Sequence, residues 1–137
     1  MKPFALTPDM TSAAGTFYPT GYVFALFPDE AAARSAADAM QTQGRDDIAH
    51  ATPDAILQHV VRTLEDADEP LPSVGAEGVI VRRIADMSSN GSHALFFAAD
   101  DDDSPDSLAD ALEPLGAQAA FYYRTLIIEE LISTPVP

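Results

Sequence analysis

A chain of 137 residues with 22 acidic against 7 basic side chains carries a formal charge of -15, which repels polyanions and argues against nucleic acid or an anionic membrane as partner. It holds no cysteine, so disulfides, thiol nucleophiles and thiolate metal sites are excluded, and a reducing cytoplasm suits it. The length fits one domain, a hydrophobic content of 47% fits a globular interior, and neither a signal peptide nor a membrane-spanning run is expected.

Residues 1–19 mix prolines, small residues and isolated apolars without period and read as a loose N-terminal arm, with Phe17 and Tyr18 able to dock it or to lengthen the first strand. Tyr22–Phe27 is apolar at every position, the mark of a strand covered on both faces. Pro28-Asp29-Glu30 then opens a helix, acidic at its positive end. Its inner face is nearly all alanine (Ala32, Ala33, Ala36, Ala37) with Met40, and Gly44 supplies a left-handed stop. A strand Asp47–Ala51 follows. Thr52 caps and Pro53 starts a second helix whose stripe is Ile56, Leu57, Val60, Val61 and Leu64, with His59 opposite.

The stretch EDADEPLPSVGAEG is turn-rich. Beyond it Val79, Ile80, Ile84 and Met87 fit a helix, although VIVRRI alone also passes for a strand. Chain parity favours the helix: two helices return the chain to the end at which they began, so the third strand runs opposite to the second. Ser88-Ser89-Asn90-Gly91 turns into a second all-apolar strand, Ala94–Ala99. Ser104-Pro105 begins a helix with Leu108, Ala111, Leu112 and Leu115 on one face, and Pro114 ends its regular hydrogen bonding near Glu113. Ala119–Tyr123 is the last strand, and the tail crowds Leu126, Ile127, Ile128, Leu131 and Ile132 together.

The chain repeats itself. With Phe24 laid on Phe96, Asp29 meets Asp101, and Ser35, Ala37, Asp38, Ala39 and Gly44 meet the identical Ser107, Ala109, Asp110, Ala111 and Gly116. Two such split β-α-β halves make an α+β fold, a ferredoxin-like two-layer sandwich. The halves are residues 22–52 and 94–124 of a single domain 20–137, with a helical insert at 53–91 and an apolar tail at 125–137. Strands apolar on both sides need cover on the second face, from the middle helices, the tail or a second copy; a homodimer is the expectation.

No motif carries identifiable chemistry. There is no phosphate-binding glycine loop, nucleophile elbow or zinc-protease helix, and GAEG (Gly75, Gly78) lacks the context of a dinucleotide site. Asp100–Asp103 reads as a solvated helix start, because it lacks the alternating ligands and glycine of a calcium loop. Arg82-Arg83 reads as pairing with nearby acids. The histidines His50, His59 and His93 have no metal-ligand spacing, and neither metal nor cofactor is expected. His50 corresponds to Tyr122 in the repeat, so His50, Tyr122, Tyr123 and Arg124 are the ligand-site candidates, with Arg124 as anion anchor.

The opening GYVFALFPDEAAARSAADAM and a later β-α-β half flank a variable middle over roughly residues 20–124. That layout resembles small bacterial α+β proteins of the heat-induced or general-stress type. The resemblance implies a stress-associated role and brings no catalytic residues with it. Taken together, the expectation is a cytoplasmic, non-enzymatic module that binds a small ligand or a protein partner. The alternative is a small enzyme using His50 with Tyr122 and Tyr123 as acid and base in a cleft.

Overall fold

The computed structural model describes residues 2–4, 19–45, 47–61, 76–124 and 128–133. Among these described residues six strands form one sheet: β1 (Lys2–Pro3), β2 (Tyr22–Phe27), β3 (Ile48–Ala51), β4 (His93–Ala98), β5 (Ala119–Tyr123) and β6 (Ile128–Ser133), in the spatial order β1-β3-β4-β2-β5-β6. The short β1 pairs parallel with β3, and every other neighbouring pair is antiparallel. Helices are interleaved with the strands: α1 (Glu30–Thr42), α2 (Pro53–Ala55, continued by a π-helical stretch Ile56–Val61), α3 (Ala76–Ser89) and α4 (Pro105–Leu112, continued by a 3-10 turn Glu113–Leu115). The protein is therefore α+β.

β2 and β4 lie side by side at the centre with Phe24 opposite Phe96, the two residues that the internal repeat superposes. Val23 to Phe27 are all fully buried. Alternation sorts them: Val23, Ala25 and Phe27 join Ala33, Ala36, Ala37 and Met40 of α1 and Leu108 and Leu112 of α4, whereas Phe24 and Leu26 face the other way.

On that other side Phe24, Phe96 and Phe121 pack with Ile56 of the π-helical stretch and Ile84 of α3, flanked by Leu57, Ala85 and Met87. The face that the sequence reading left to the middle helices, the tail or a second copy is thus covered by the middle helices, and α3 is a helix where VIVRRI alone allowed a strand. Helices lie on both faces, so the insert adds cover to the two-layer arrangement of α1 and α4 on the sheet.

Two segments differ from expectation. The start of the arm is not loose, because Lys2–Pro3 pairs with β3 and Phe4 is buried edge-on against Phe96, centroids 5.4 Å apart. The tail contributes β6, whose Leu131 and Ile132 pack on the α1/α4 side while Ile128 packs on the other. Gly78, read as part of the connector, falls inside α3. Phe17, Tyr18, Leu64 and most of the connector lie outside the described residues.

Local signals behave as their chemistry dictates. Asp29 caps α1 by accepting from the Ala32 N–H at 2.8 Å, Thr52 caps α2, and Ser104 caps α4 with Pro105 next. α1 ends through Gly44, where φ is +101° and the Arg45 N–H reaches back to the Met40 carbonyl. α3 ends in the same way through Gly91, with the Ser92 N–H on the Met87 carbonyl. These stops fix where Arg45 and His93 enter the structure.

Candidate functional site

Along β3, Ala49 and Ala51 point to the insert layer, so His50 between them points to the α1 side. Along β4, Ala94 points to the insert layer and Leu95 and Phe97 to the α1 side, which puts His93 there too. In the register His50 is opposite Leu95 and His93 is opposite Phe27. The two histidines are therefore diagonal neighbours on one face, near the start of α1. Both are half-buried.

His50 Nε2 and His93 Nδ1 are 2.9 Å apart, with ring planes 4° from parallel and centroids 5.1 Å apart. Parallel rings in face-to-face contact need planes separated by about 3.5 Å, and planes whose atoms approach to 2.9 Å do not have that separation. The imidazoles meet edge to edge, each nitrogen close to the line joining the ring centres, in an N–H···N hydrogen bond. A shared metal ion would need both lone pairs to converge on a third point about 2.0–2.1 Å away; here they point at each other. Among the described residues no group of three metal-ligating side chains is assembled.

The charged residues acting on the pair come from the first turns of α1. Arg34 holds Glu30 through Nε at 2.8 Å and Nη2 at 2.7 Å, an exposed i, i+4 pair. Glu30 is held below the usual carboxylate range by the hydrogen bond and charge of Arg34, and slightly by the charges of His93 and His50, against a small opposing effect of burial. His50 is held below the ordinary histidine value by burial first, then by the charges of His93 and Arg34, with Glu30 pulling the other way. Around these groups lie Phe27 and Leu95. Behind His50 the edge is closed by β1, where Pro3 sits opposite His50 and the Phe4 N–H donates to the His50 carbonyl at 2.9 Å.

The other sequence candidates are elsewhere. Tyr122 shares the α1/α4 side of the sheet but stands in the row of Val23, Phe97 and Ile48, not the row of Ala25, Leu95 and His50. Three strand spacings of about 4.8 Å separate β5 from β3, so His50 and Tyr122 are about 14 Å apart or more and share no contact. Tyr123 is buried on the opposite side with Phe24 and Phe121. Arg124 lies 5.8 Å from the Tyr122 ring and donates to Glu129 at 2.8 Å. The grouping of His50 with Tyr122, Tyr123 and Arg124 is not assembled, and the partner of His50 is His93.

The remaining charged candidates pair within the fold. Arg45 donates to Asp103 at 2.8 Å, approaches Asp100 at 3.8 Å and lies over the Phe97 ring, while Asp103 also accepts from the Asp100 N–H. Burial pushes Asp103 upward, but the hydrogen bonds from Arg45 and Asp100 prevail and hold it below the usual carboxylate range. Arg83 pairs with Glu130 and lies over Phe121; Arg82 and His59 are exposed. No helix among the described residues is long and apolar enough to cross a membrane. A scan against protein-family models, a search of curated proteins and a search of solved structures found no match to this chain.

Proposed function

We propose that this chain is a ferredoxin-like, non-enzymatic binding module that recognises a small carboxylate at the corner formed by His50, His93 and Arg34. The ferredoxin-like reading is supported by the central order β3-β4-β2-β5, antiparallel throughout, with α1 and α4 each linking two strands of like direction on the same side. The observation that carries the function is the His50–His93 contact. It places two ionisable rings, half-buried and mutually oriented, on a sheet face whose neighbouring positions include Val23, Ala25, Phe27, Ile48, Leu95 and Phe97. Carboxylate is the favoured chemistry because one already sits on Arg34: Glu30 takes its Nε and Nη2 edge, a geometry that guanidinium repeats with a second carboxylate at its other edge.

The test is a titration of the full chain with benzoate and acetate, followed by the ring resonances of His50 and His93 and the Nε–H of Arg34. Saturable shifts at all three, reduced at least fivefold in affinity by Arg34→Ala, are expected. Rings that stay unmoved up to tens of millimolar probe would refute the reading.

A second reading, a small enzyme on the same scaffold, draws on the same contact. His50, kept neutral by burial, would act as base and His93 would orient it. It is the weaker reading, because Tyr122 and Tyr123, which were to complete it, lie about three strands away or on the opposite face.

A further inference from the structure

β3 carries small side chains where a larger one reaches across it. Ala49 and Ala51 face the insert layer and both are buried, and their methyl groups leave a shallow trough over the strand. Phe4, which follows β1, fills that layer. Its ring meets Phe96 of β4 with centroids 5.4 Å apart and planes at 82°, and it is 8% exposed. Tyr22 stacks on the same Phe96 at 4.7 Å. An aromatic ring borne beside β1 thus touches β4 across the strand between them.

Backbone chemistry holds the same segment. The Phe4 N–H donates to the His50 carbonyl at 2.9 Å, and Lys2 and Pro3 lie in parallel register with Ala49 and His50. Successive backbone N–H groups of a strand point to opposite sides, so the Pro3 nitrogen lies on the outer side, where proline has no hydrogen to offer. β1 therefore completes β3 and ends the sheet. Its hold is small all the same. Two residues are in register and one ring is buried, and that gain is of the same order as the entropy lost in fixing three residues near a chain end.

We propose that the outer edge of β3, with its Ala49–Ala51 trough and Phe96, is a docking groove for an extended cationic segment of another protein that carries an aromatic residue, and that Lys2–Phe4 is the groove's tethered stand-in. The mode is strand addition: hydrogen bonds to the β3 main chain supply affinity, and the aromatic slot supplies selectivity. Positive charge is favoured because the chain as a whole carries -15, which draws cationic segments in; the stand-in itself bears Lys2, the sole lysine of the sequence. The groove is separate from the His50–His93 corner. It uses the His50 carbonyl and the insert layer, whereas the His50 ring points to the α1 side. Since the stand-in belongs to the same chain, it competes with an incoming segment intramolecularly and keeps the affinity of the intact protein low.

The probe is a blocked peptide, Gly-Lys-Pro-Phe-Gly, titrated into the full chain and followed by the amide resonances of β3. Phe4→Ala, which empties the slot, is expected to bind the peptide at least tenfold more tightly than the wild type does. A peptide with Ala in place of Phe is expected to bind that variant at least tenfold more weakly. No saturable binding to folded Phe4→Ala, or equal binding of the two peptides, overturns the proposal. A wild-type dimer that the peptide converts to monomer identifies a second copy's arm as the occupant and overturns the foreign partner. Should Phe4→Ala fail to give a folded amide spectrum, the wild type decides: loss of magnetisation transfer between the Phe4 and Phe96 rings at millimolar peptide supports the proposal, and its persistence overturns it.

Discussion

At the scale of single residues, His50 ties ionisation to folding even without a ligand. Its affinity for a proton is lower in the folded chain than in the unfolded one, through burial first and the charges of His93 and Arg34 second. As pH falls, the unfolded chain therefore takes up its proton before the folded chain does, and protonation favours unfolding. The stability contribution is complete above the ordinary value of 6.5 and is lost as pH falls through the depressed folded value. Urea unfolding of the wild type is expected to give constant stability from pH 8 to about 7 and a decline below about 6.5. His50→Gln should flatten that decline. An identical decline in the variant would assign it to other groups.

The site was only partly legible in the chain. The internal repeat matches His50 with Tyr122, but equivalence under a pseudo-twofold relates places that correspond, not places that touch. Only residues near the axis meet their mates, as Phe24 and Phe96 do. His50 and Tyr122 lie on β3 and β5, which flank the central pair of strands, so symmetry keeps them apart. The partner that His50 meets, His93, is set by the β3–β4 register, and an insert of two helices intervenes between those strands. No periodicity within either strand encodes that register.

At the scale of elements, the sequence was far more informative, since strands and helices are specified by neighbours in the chain. The all-apolar runs at β2 and β4 foretold cover on both faces, and Pro28-Asp29-Glu30, Thr52-Pro53 and Ser104-Pro105 foretold the helix starts. The tail was harder: Ile128–Ser133 clusters apolar residues without clean alternation, and its pairing with β5 contains a register shift beside Ala120 and Phe121, which breaks the period that marks a strand. The alanine face of α1 leads to a sharper expectation. Ala33, Ala36 and Ala37 are at most 1% exposed, so α1 lies close on the sheet with no room for a larger side chain. Ala37→Leu should cost about 1–3 kcal/mol by overpacking, whereas Ala31→Leu on the exposed side should stay within about 0.5 kcal/mol. Chemical denaturation of the two variants checks this, and equal effects would mean that α1 does not pack as closely as described.

At the scale of the whole molecule, 22 carboxylates against 7 basic groups work against compactness. Folding draws like charges together, and among the described residues some are locally offset, as where Arg45 meets Asp103, Arg83 meets Glu130 and Arg124 meets Glu129. The run Asp100–Asp103 sits at the start of α4 with one member already committed to Arg45. Two physical pictures of that acidity make different forecasts. General repulsion is screened by any salt, because the Debye length shrinks from about 30 Å at 0.01 M to about 8 Å at 0.15 M ionic strength. A built divalent site would instead respond to magnesium or calcium alone, and saturably. Since Asp103 is engaged and no three-ligand cluster is assembled among the described residues, screening is the expected behaviour. The melting temperature should rise by a few degrees between 0.01 M and 0.15 M sodium chloride, corresponding to about 1 kcal/mol. Magnesium chloride at matched ionic strength should add little beyond that. A saturable further rise at sub-millimolar magnesium, abolished by Asp101→Asn together with Asp102→Asn, would instead locate a cation site at the mouth of α4 and make the negative charge a binding feature rather than a general destabilising one.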